Sequence, residues 1–308
     1  MIYSVSTANL IIDPKTSEAN FPLLKQAGFG AIDLNFDTIF GKTGGTVWKK
    51  PMTKGSFYEL DDKAFYEYLD GIKNAAEKNG IKIGQCHAPF PSYIFGGEKE
   101  TNDNIVWIIK RTIQAAGYLN CPYIVIHPAN FPYGDKATKE EIFEFNVNFY
   151  AQFIEELKKY NVVCCLENMW VSYKNKIMES TCNDYEEVNR YIEVLNDKAG
   201  GEWYAFCLDT GHAVLNSANI RFAIRTLGKN LKVLHLHEVD GVKDNHTMPF
   251  TLGAVDWDLI MDELSANNYS GTLNFEAANS WLMFPEALWG DAVKMLGAIC
   301  KYFADKYF

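Results

Sequence analysis

The sequence predicts an α/β protein built as a single (β/α)8 TIM barrel, with residues 1–308 forming one domain. Three observations carry that expectation. Short apolar runs rich in β-branched residues recur eight times along the chain, helical patterns separate them, and the GxGxxG fingerprint of a dinucleotide-binding open sheet is missing. The runs are 3–10, 31–36, 81–87, 123–127, 162–167, 204–209, 232–237 and 272–276. Most read as apolar on both sides of the pleat, which is the pattern of strands buried on both faces of a parallel sheet.

The intervening helices follow in order. Weak patterns at 21–26 and 64–78 follow the first two strands, and Ile105, Ile109, Ile113 and Ala116 mark a stripe after the third. After the fourth, Thr138 and Glu141 have capping-box spacing and open a face of Ile142, Phe145, Phe149, Phe153 and Leu157. After the fifth, Asn183 with Glu186 opens a stripe of Tyr185, Val188, Ile192 and Leu195. Weaker stretches at 220–227, 259–264 and 287–302 complete eight units. The segment GKTGGT at Gly41 lacks the preceding glycine that a phosphate-binding P-loop requires.

Composition narrows the partners. The chain is 48% hydrophobic and 22% charged, enough for a large core. Its 39 acidic residues outnumber 29 basic ones, giving a formal charge of −10, and arginine occurs only at Arg111, Arg190, Arg221 and Arg225. Phosphate backbones are held by clustered Lys and Arg, so no nucleic-acid partner is expected. No apolar run is long enough to span a bilayer and the N-terminus has no signal-peptide pattern, so no membrane partner is expected. Seven cysteines include no CxxC pair, and Cys86, Cys164, Cys165 and Cys207 sit in apolar runs. That usage predicts a reducing, cytoplasmic setting.

The histidines carry the functional signal. His87 and His127 end the third and fourth strands, His212 follows the sixth, His235 and His237 end the seventh, and His246 lies just beyond. Glu167, Asp209 and Glu276 join them at strand ends. Barrel strand ends converge on one mouth. Taken singly, a buried histidine is more often a hydrogen-bonded core residue, and a strand-end acid often caps the next helix. Six histidines and three acids on one face instead predict a divalent-metal site, since mixed imidazole and carboxylate donors suit Zn, Mn, Fe or Co. Asp33, inside the second strand, is expected to be a buried, paired acid.

These residues resemble the xylose-isomerase-like TIM-barrel superfamily, which holds sugar isomerases, ketohexose epimerases and apurinic-site endonucleases. The resemblance rests on LEN, LDTGH, HLHEVD, HTMPFTLGAVDW and NFE, in that order. It implies one divalent metal (Mn, Co, Mg, Fe or Zn) held by Glu167, Asp209, His237 and Glu276. Acids follow both His235 and His237 by three residues, so spacing alone does not separate them. The family uses the second histidine of an HxH pair, which leaves His235 a supporting role. The family's substrate-contacting histidine matches His212, and an arginine six residues beyond the metal histidine is replaced by Lys243. The endonuclease branch implies two or three zinc ions, with His87, His127, His212, Asp244 and His246 as additional ligands.

Two mechanisms follow from the resemblance. In an isomerase or epimerase, Glu167 and Glu276 are the catalytic acid and base, acting on a small carbohydrate, or its phosphate, through an enediolate. His87, His127, His212, Lys243, His246 and Trp281 are then the expected substrate contacts, and Phe40, Trp48 and Trp170 are further stacking candidates. The alternative is a multinuclear zinc phosphodiester hydrolase, which the acidic charge disfavours. A noncatalytic sugar- or metal-binding barrel ranks last because it leaves the paired glutamates without a purpose. Residues 37–60, with Gly44-Gly45 and Lys42, Lys49, Lys50 and Lys54, are read as a lid with a solvated lysine face. Related barrels also admit a homo-oligomer through their helical faces.

Overall fold

The computed structural model describes residues 1–40 and 57–308, apart from the side chain of Phe40. Ten strands are present among them: β1 (Tyr3–Ser6), β2 (Ala31–Asn35), β3 (Lys82–His87), β4 (Tyr123–Val125), β5 (Val163–Glu167), β6 (Trp170–Tyr173), β7 (Lys176–Glu179), β8 (Tyr204–Asp209), β9 (Leu231–His235) and β10 (Leu273–Phe275). Eight of them form one parallel sheet in the order β10-β1-β2-β3-β4-β5-β8-β9. The two ends of that order meet: Leu236 N donates to Asn274 O at 2.9 Å, and Glu276 N donates to Leu236 O at 3.0 Å. The sheet therefore closes into the expected barrel. Among the described residues, no helix is long and apolar enough to cross a membrane.

Side-chain alternation explains how the barrel is filled. Outward positions such as Val5, Ile32, Leu34, Leu166, Phe206, Leu208, Leu234 and Phe275 pack into one large core with the surrounding helices. Inward positions divide in two. On β4, β5, β8 and β9, Val125, Cys165, Ala205, Cys207 and Val233 form a separate apolar cluster. On β10, β1, β2 and β3, the inward positions are the buried polar residues Asn274, Ser4, Ser6, Asp33 and Gln85. The sheet is thus less uniformly apolar than its sequence suggests, because half of its interior supports polar groups under the mouth.

The helical expectations are met with local corrections. Thr138 and Glu141 form both bonds of a capping box at Lys139–Ala151, while Leu157 falls on a second helix, Ile154–Tyr160, of which Phe153 is the N-cap residue. The cap of Tyr185–Ala199 is Asp184, whose side chain accepts from Glu187 N. The Asn183 side chain is engaged elsewhere: its Oδ1 accepts from Asn216 Nδ2 at 2.9 Å and its Nδ2 donates to Ser180 O at 3.0 Å. The antiparallel hairpin β6–β7 after the fifth barrel strand is new. Its turn residues, Lys174 and Asn175, both have positive φ (46° and 62°), which suits a tight two-residue hairpin.

Candidate metal centre

Strand parity delivers the site. His87, Glu167 and Asp209 end their strands, and His127, His237 and Glu276 continue the inward alternation one or two residues beyond theirs. Asn168, of the LEN motif, ties β5 to β8: its Nδ2 donates to Asp209 O and its Oδ1 accepts from Asp209 N, both at 2.9 Å. Asp209 Oδ1 also caps the helix Thr210–Leu215 by accepting from His212 N at 2.7 Å. His212, which follows the sixth barrel strand, therefore stands on a helix. Gly211 makes room for the next ring, since a Cβ there would sit 2.0 Å from His237 Cε1.

Four histidine rings turn Nδ1 toward a backbone carbonyl. His87 Nδ1 lies 2.6 Å from Ala88 O, His212 Nδ1 2.9 Å from Asn168 O, His246 Nδ1 3.1 Å from Glu276 O, and His237 Nδ1 3.5 Å from Glu238 O. A nitrogen facing a carbonyl carries the proton, which leaves the Nε2 lone pair to a ligand. Those free nitrogens converge with carboxylates. His87 Nε2 and His127 Nε2 are 3.0 Å apart, and lie 3.6 and 3.1 Å from Glu167 Oε2. His212 Nε2 and His246 Nε2 lie 3.2 and 3.1 Å from Asp244 Oδ2. Donors about 2.1 Å from a tetrahedral ion stand roughly 3.4 Å apart, so both groups have the spacing of a cation's ligands. Glu167 Oε2 and Asp244 Oδ1 are buried without a hydrogen-bond partner, as oxygens reserved for a cation would be.

The two histidines of the HxH pair differ in a way spacing did not show. Distance groups His235 with Glu167, Asp209 and Glu276, and groups His237 with His212, Asp244 and His246. The reason is register: His235 is paired with Asp209 across β8–β9, whereas His237 stands one layer nearer the mouth. Yet His235 Nδ1 lies 2.9 Å from Glu167 Oε1 and 3.3 Å from Glu276 Oε2, and its Nε2 lies 3.3 Å from Asp33 Oδ2. Both of its nitrogens thus face carboxylates. His237 Nε2 lies 3.0 Å from both oxygens of Asp209 and has only a loose contact behind it.

Charge follows from these contacts. Burial disfavours ionised Glu167, but the His235 and His127 rings outweigh it and hold the carboxyl well below its usual range. Burial also opposes charge on His235, but Cys207, Glu276 and Glu167 raise it well above an ordinary imidazole. Burial pushes His127 down, against Glu167, toward the neutral form that ligates. His246 is pushed up to about 10, since Asp244 and Glu276 outweigh its burial.

Above these groups lies a cavity of about 480 Å3, lined by His87, His127, Glu167, His212, Asp244, His246 and Glu276. That is within the roughly 300–1,000 Å3 of small-molecule sites. Trp170 lines it and donates from Nε1 to Asp244 Oδ2 at 3.1 Å. Two expected contacts lie elsewhere. Trp281 is fully buried, because the short helix Asn279–Leu282 turns its ring into the core. Lys243 is exposed, in a turn where Asp240 Oδ1 accepts from Val242 N and Lys243 N at 2.8 and 2.6 Å. Trp48, the side chain of Phe40, Gly44-Gly45 and the lid lysines lie outside the described residues.

Sequence reasoning missed Asp37, Asn35, Asn9 and Phe90, which also line the cavity. Parity along β2 was the signal for Asn35, which follows Asp33 on the inward line, whereas Asp37 stands on the short helix Phe36–Phe40. It also missed Glu238, a buried carboxylate that accepts from Phe250 N, Val255 N and Trp257 Nε1 at 3.1, 3.0 and 2.8 Å. Glu238 thereby holds the loop that carries Asp244 and His246.

Fold and site together define a (β/α)8 barrel with a candidate metal centre at the C-terminal ends of its strands. The chain belongs to the xylose isomerase-like TIM barrel family, whose model matches residues 21–299. It is 25% identical over 274 residues to the uncharacterized protein y4fM of Sinorhizobium fredii, covering 82% of this chain and 78% of that one. Among solved structures it is similar to an L-ribulose 3-epimerase, with TM-score 0.71, 16% identity, and coverage of 100% of this chain and 96% of the other. It is also similar to the IOLI protein with a bound zinc atom, with TM-score 0.69, 17% identity, and coverage of 100% and 99%.

Proposed function

We propose that the protein is a divalent-metal-dependent isomerase or epimerase of small carbohydrates. The observation that carries this reading is the pairing of Glu167 and Glu276, which share the single donor His235 Nδ1 at 2.9 and 3.3 Å on the floor of the cavity. Two carboxylates facing one space can take a proton from a carbon and return one to its neighbour or to its other face. The similar L-ribulose 3-epimerase supports this class of reaction, and the zinc of the IOLI structure supports a divalent metal.

Glu167, Asp209, His237 and Glu276 would hold the metal, Mn, Co, Mg, Fe or Zn; His237 is chosen over His235 because both ring nitrogens of His235 already face carboxylates, whereas His237 Nε2 lies 3.0 Å from both oxygens of Asp209 and its Nδ1 has only a loose carbonyl contact. When bound, the ion would supply Lewis-acid polarisation of a sugar carbonyl. The protein's own groups do the rest. Glu167, held ionised, removes the proton beside the carbonyl, and Glu276 serves the opposite transfer. His87, His127, His212, His246 and Trp170 bound the space in which the sugar hydroxyls would lie. The described lining contains no Lys or Arg, which favours a neutral sugar over nucleic acid. All seven cysteines are free and buried, in keeping with a reducing cytoplasm.

One observation favours a second reading. The His87–His127–Glu167 and His212–Asp244–His246 groups have ligand spacing of their own, as a two- or three-zinc phosphodiester hydrolase would require. Incubating the Mn2+-loaded protein with a panel of ketoses in D2O separates the two. Deuterium entering carbon beside the carbonyl, and lost in Glu167→Gln, is the expected result. Cleavage of a phosphodiester with no exchange into any ketose would overturn the first reading in favour of the second.

A further inference from the structure

We propose that Asp33 is a positioning residue that acts through His235 to orient both Glu167 and Glu276. The inference concerns the same site and rests on the metal-and-glutamate reading above, but its geometry stands independently. Asp33 and His235 are both fully buried, and Asp33 Oδ2 lies 3.3 Å from His235 Nε2. The opposite ring nitrogen reaches Glu167 Oε1 at 2.9 Å and Glu276 Oε2 at 3.3 Å. The imidazole is therefore a strut with one carboxylate behind it and two in front.

The back of the strut is itself fixed. Gln85 Nε2 and Asn274 Nδ2 donate to Asp33 Oδ2 at 3.3 and 3.2 Å, and the same two nitrogens approach Leu234 O at 3.4 and 3.2 Å. One acid on β2 is thus tied to β3, to β10 and to the backbone just before His235. The His87 ring stacks on His235, with centroids 5.5 Å apart and planes 22° from parallel, and limits its swing.

Filling the barrel does not require any of this. The other half of the same interior is packed with Val125, Cys165, Ala205, Cys207 and Val233. Among the described residues, Asp33 has no Lys or Arg partner, and a buried carboxylate without one is costly. The polar half instead surrounds Asp33, which faces the ring nitrogen of His235 opposite the one that reaches the two glutamates.

The test uses full-length protein labelled with 15N-histidine and freed of metal. The His235 Nδ1 proton, assigned by its loss in His235→Asn, is expected as a hydrogen-bonded, slowly exchanging resonance in the wild type. In Asp33→Asn it should exchange with water at least about tenfold faster, while the thermal midpoint falls only modestly. Mn2+ titration provides the second reading: Asp33→Asn should weaken binding about tenfold in the wild type, as loss of an outer support does, and add no further loss in Glu167→Gln. An unchanged resonance in Asp33→Asn would overturn the proposal, as would equal Mn2+ losses in both backgrounds. A wild type that takes up no Mn2+ would count against the metal reading alone, and the resonance would still decide the role of Asp33.

Discussion

Gly211→Ala tests the position of His237 without touching a ligand. Gly211 sits in the helix Thr210–Leu215, so its conformation does not require glycine. Space does. An added Cβ would fall 2.0 Å from His237 Cε1 and 2.5 Å from Nε2, against the roughly 3.5–4.0 Å of an ordinary contact. The ring would have to retreat by about 1.5 Å, yet it is fully buried and stacked on His246 with centroids 4.0 Å apart. Overpacking of this kind costs about 1–3 kcal/mol, offset by about 1 kcal/mol from replacing glycine in a helix. The net loss is then about 0–2 kcal/mol, a fall in Tm of a few degrees. The functional effect should be larger, because the retreat breaks the 3.0 Å approach of His237 to Asp209: metal binding should weaken at least about tenfold. Gly297→Ala is the control. Its Cβ would meet Ala27 O at 2.0 Å, far from the mouth, so it should lower Tm without changing metal affinity. Calorimetric Mn2+ titration with thermal melts reads both variants. Unchanged affinity in Gly211→Ala would show that His237 is not a ligand of the metal.

Three further outcomes follow from the same contacts. Glu167→Gln and Glu276→Gln should each cut turnover by about 10²–10⁴-fold while far-UV circular dichroism shows the protein still folded; near-normal turnover in either would remove it from the proton-transfer pair. Glu238→Gln turns an amide toward buried donors now satisfied by a carboxylate, so it should cost about 2–4 kcal/mol, and hydrogen exchange should quicken across 239–257. His246, raised from 6.5 to about 10 in the metal-free fold, stabilises that fold fully below pH 6.5 and progressively less as pH rises toward 10. Metal-free Tm should therefore decline over that window relative to His246→Gln.

Much of this was legible from the chain because alternation and strand ends are written in residue types. Eight apolar runs predicted the barrel, and the acids and imidazoles at their ends predicted the mouth. What was not legible depended on contacts across the barrel. The interior half formed by Asp33, Gln85 and Asn274 looks like isolated polar residues until the strands close and bring them under His235. Trp281 and Lys243 were expected at the cavity because their motifs lie beside the mouth in sequence. A short helix turns one inward and an Asp240 turn sends the other to solvent. The choice between His235 and His237 needed the partners of each ring nitrogen, which no spacing contains.

Elemental mass spectrometry reads whether one divalent metal binds, as proposed, at Glu167, Asp209, His237 and Glu276. Protein purified without added metal or chelator should carry about one manganese, cobalt, iron, magnesium or zinc ion per chain, and Asp209→Asn should carry almost none. A metal-free wild type, or an Asp209→Asn variant that keeps its metal, would rule out that site. Two or three zinc ions per chain would instead move the centre to phosphodiester hydrolysis.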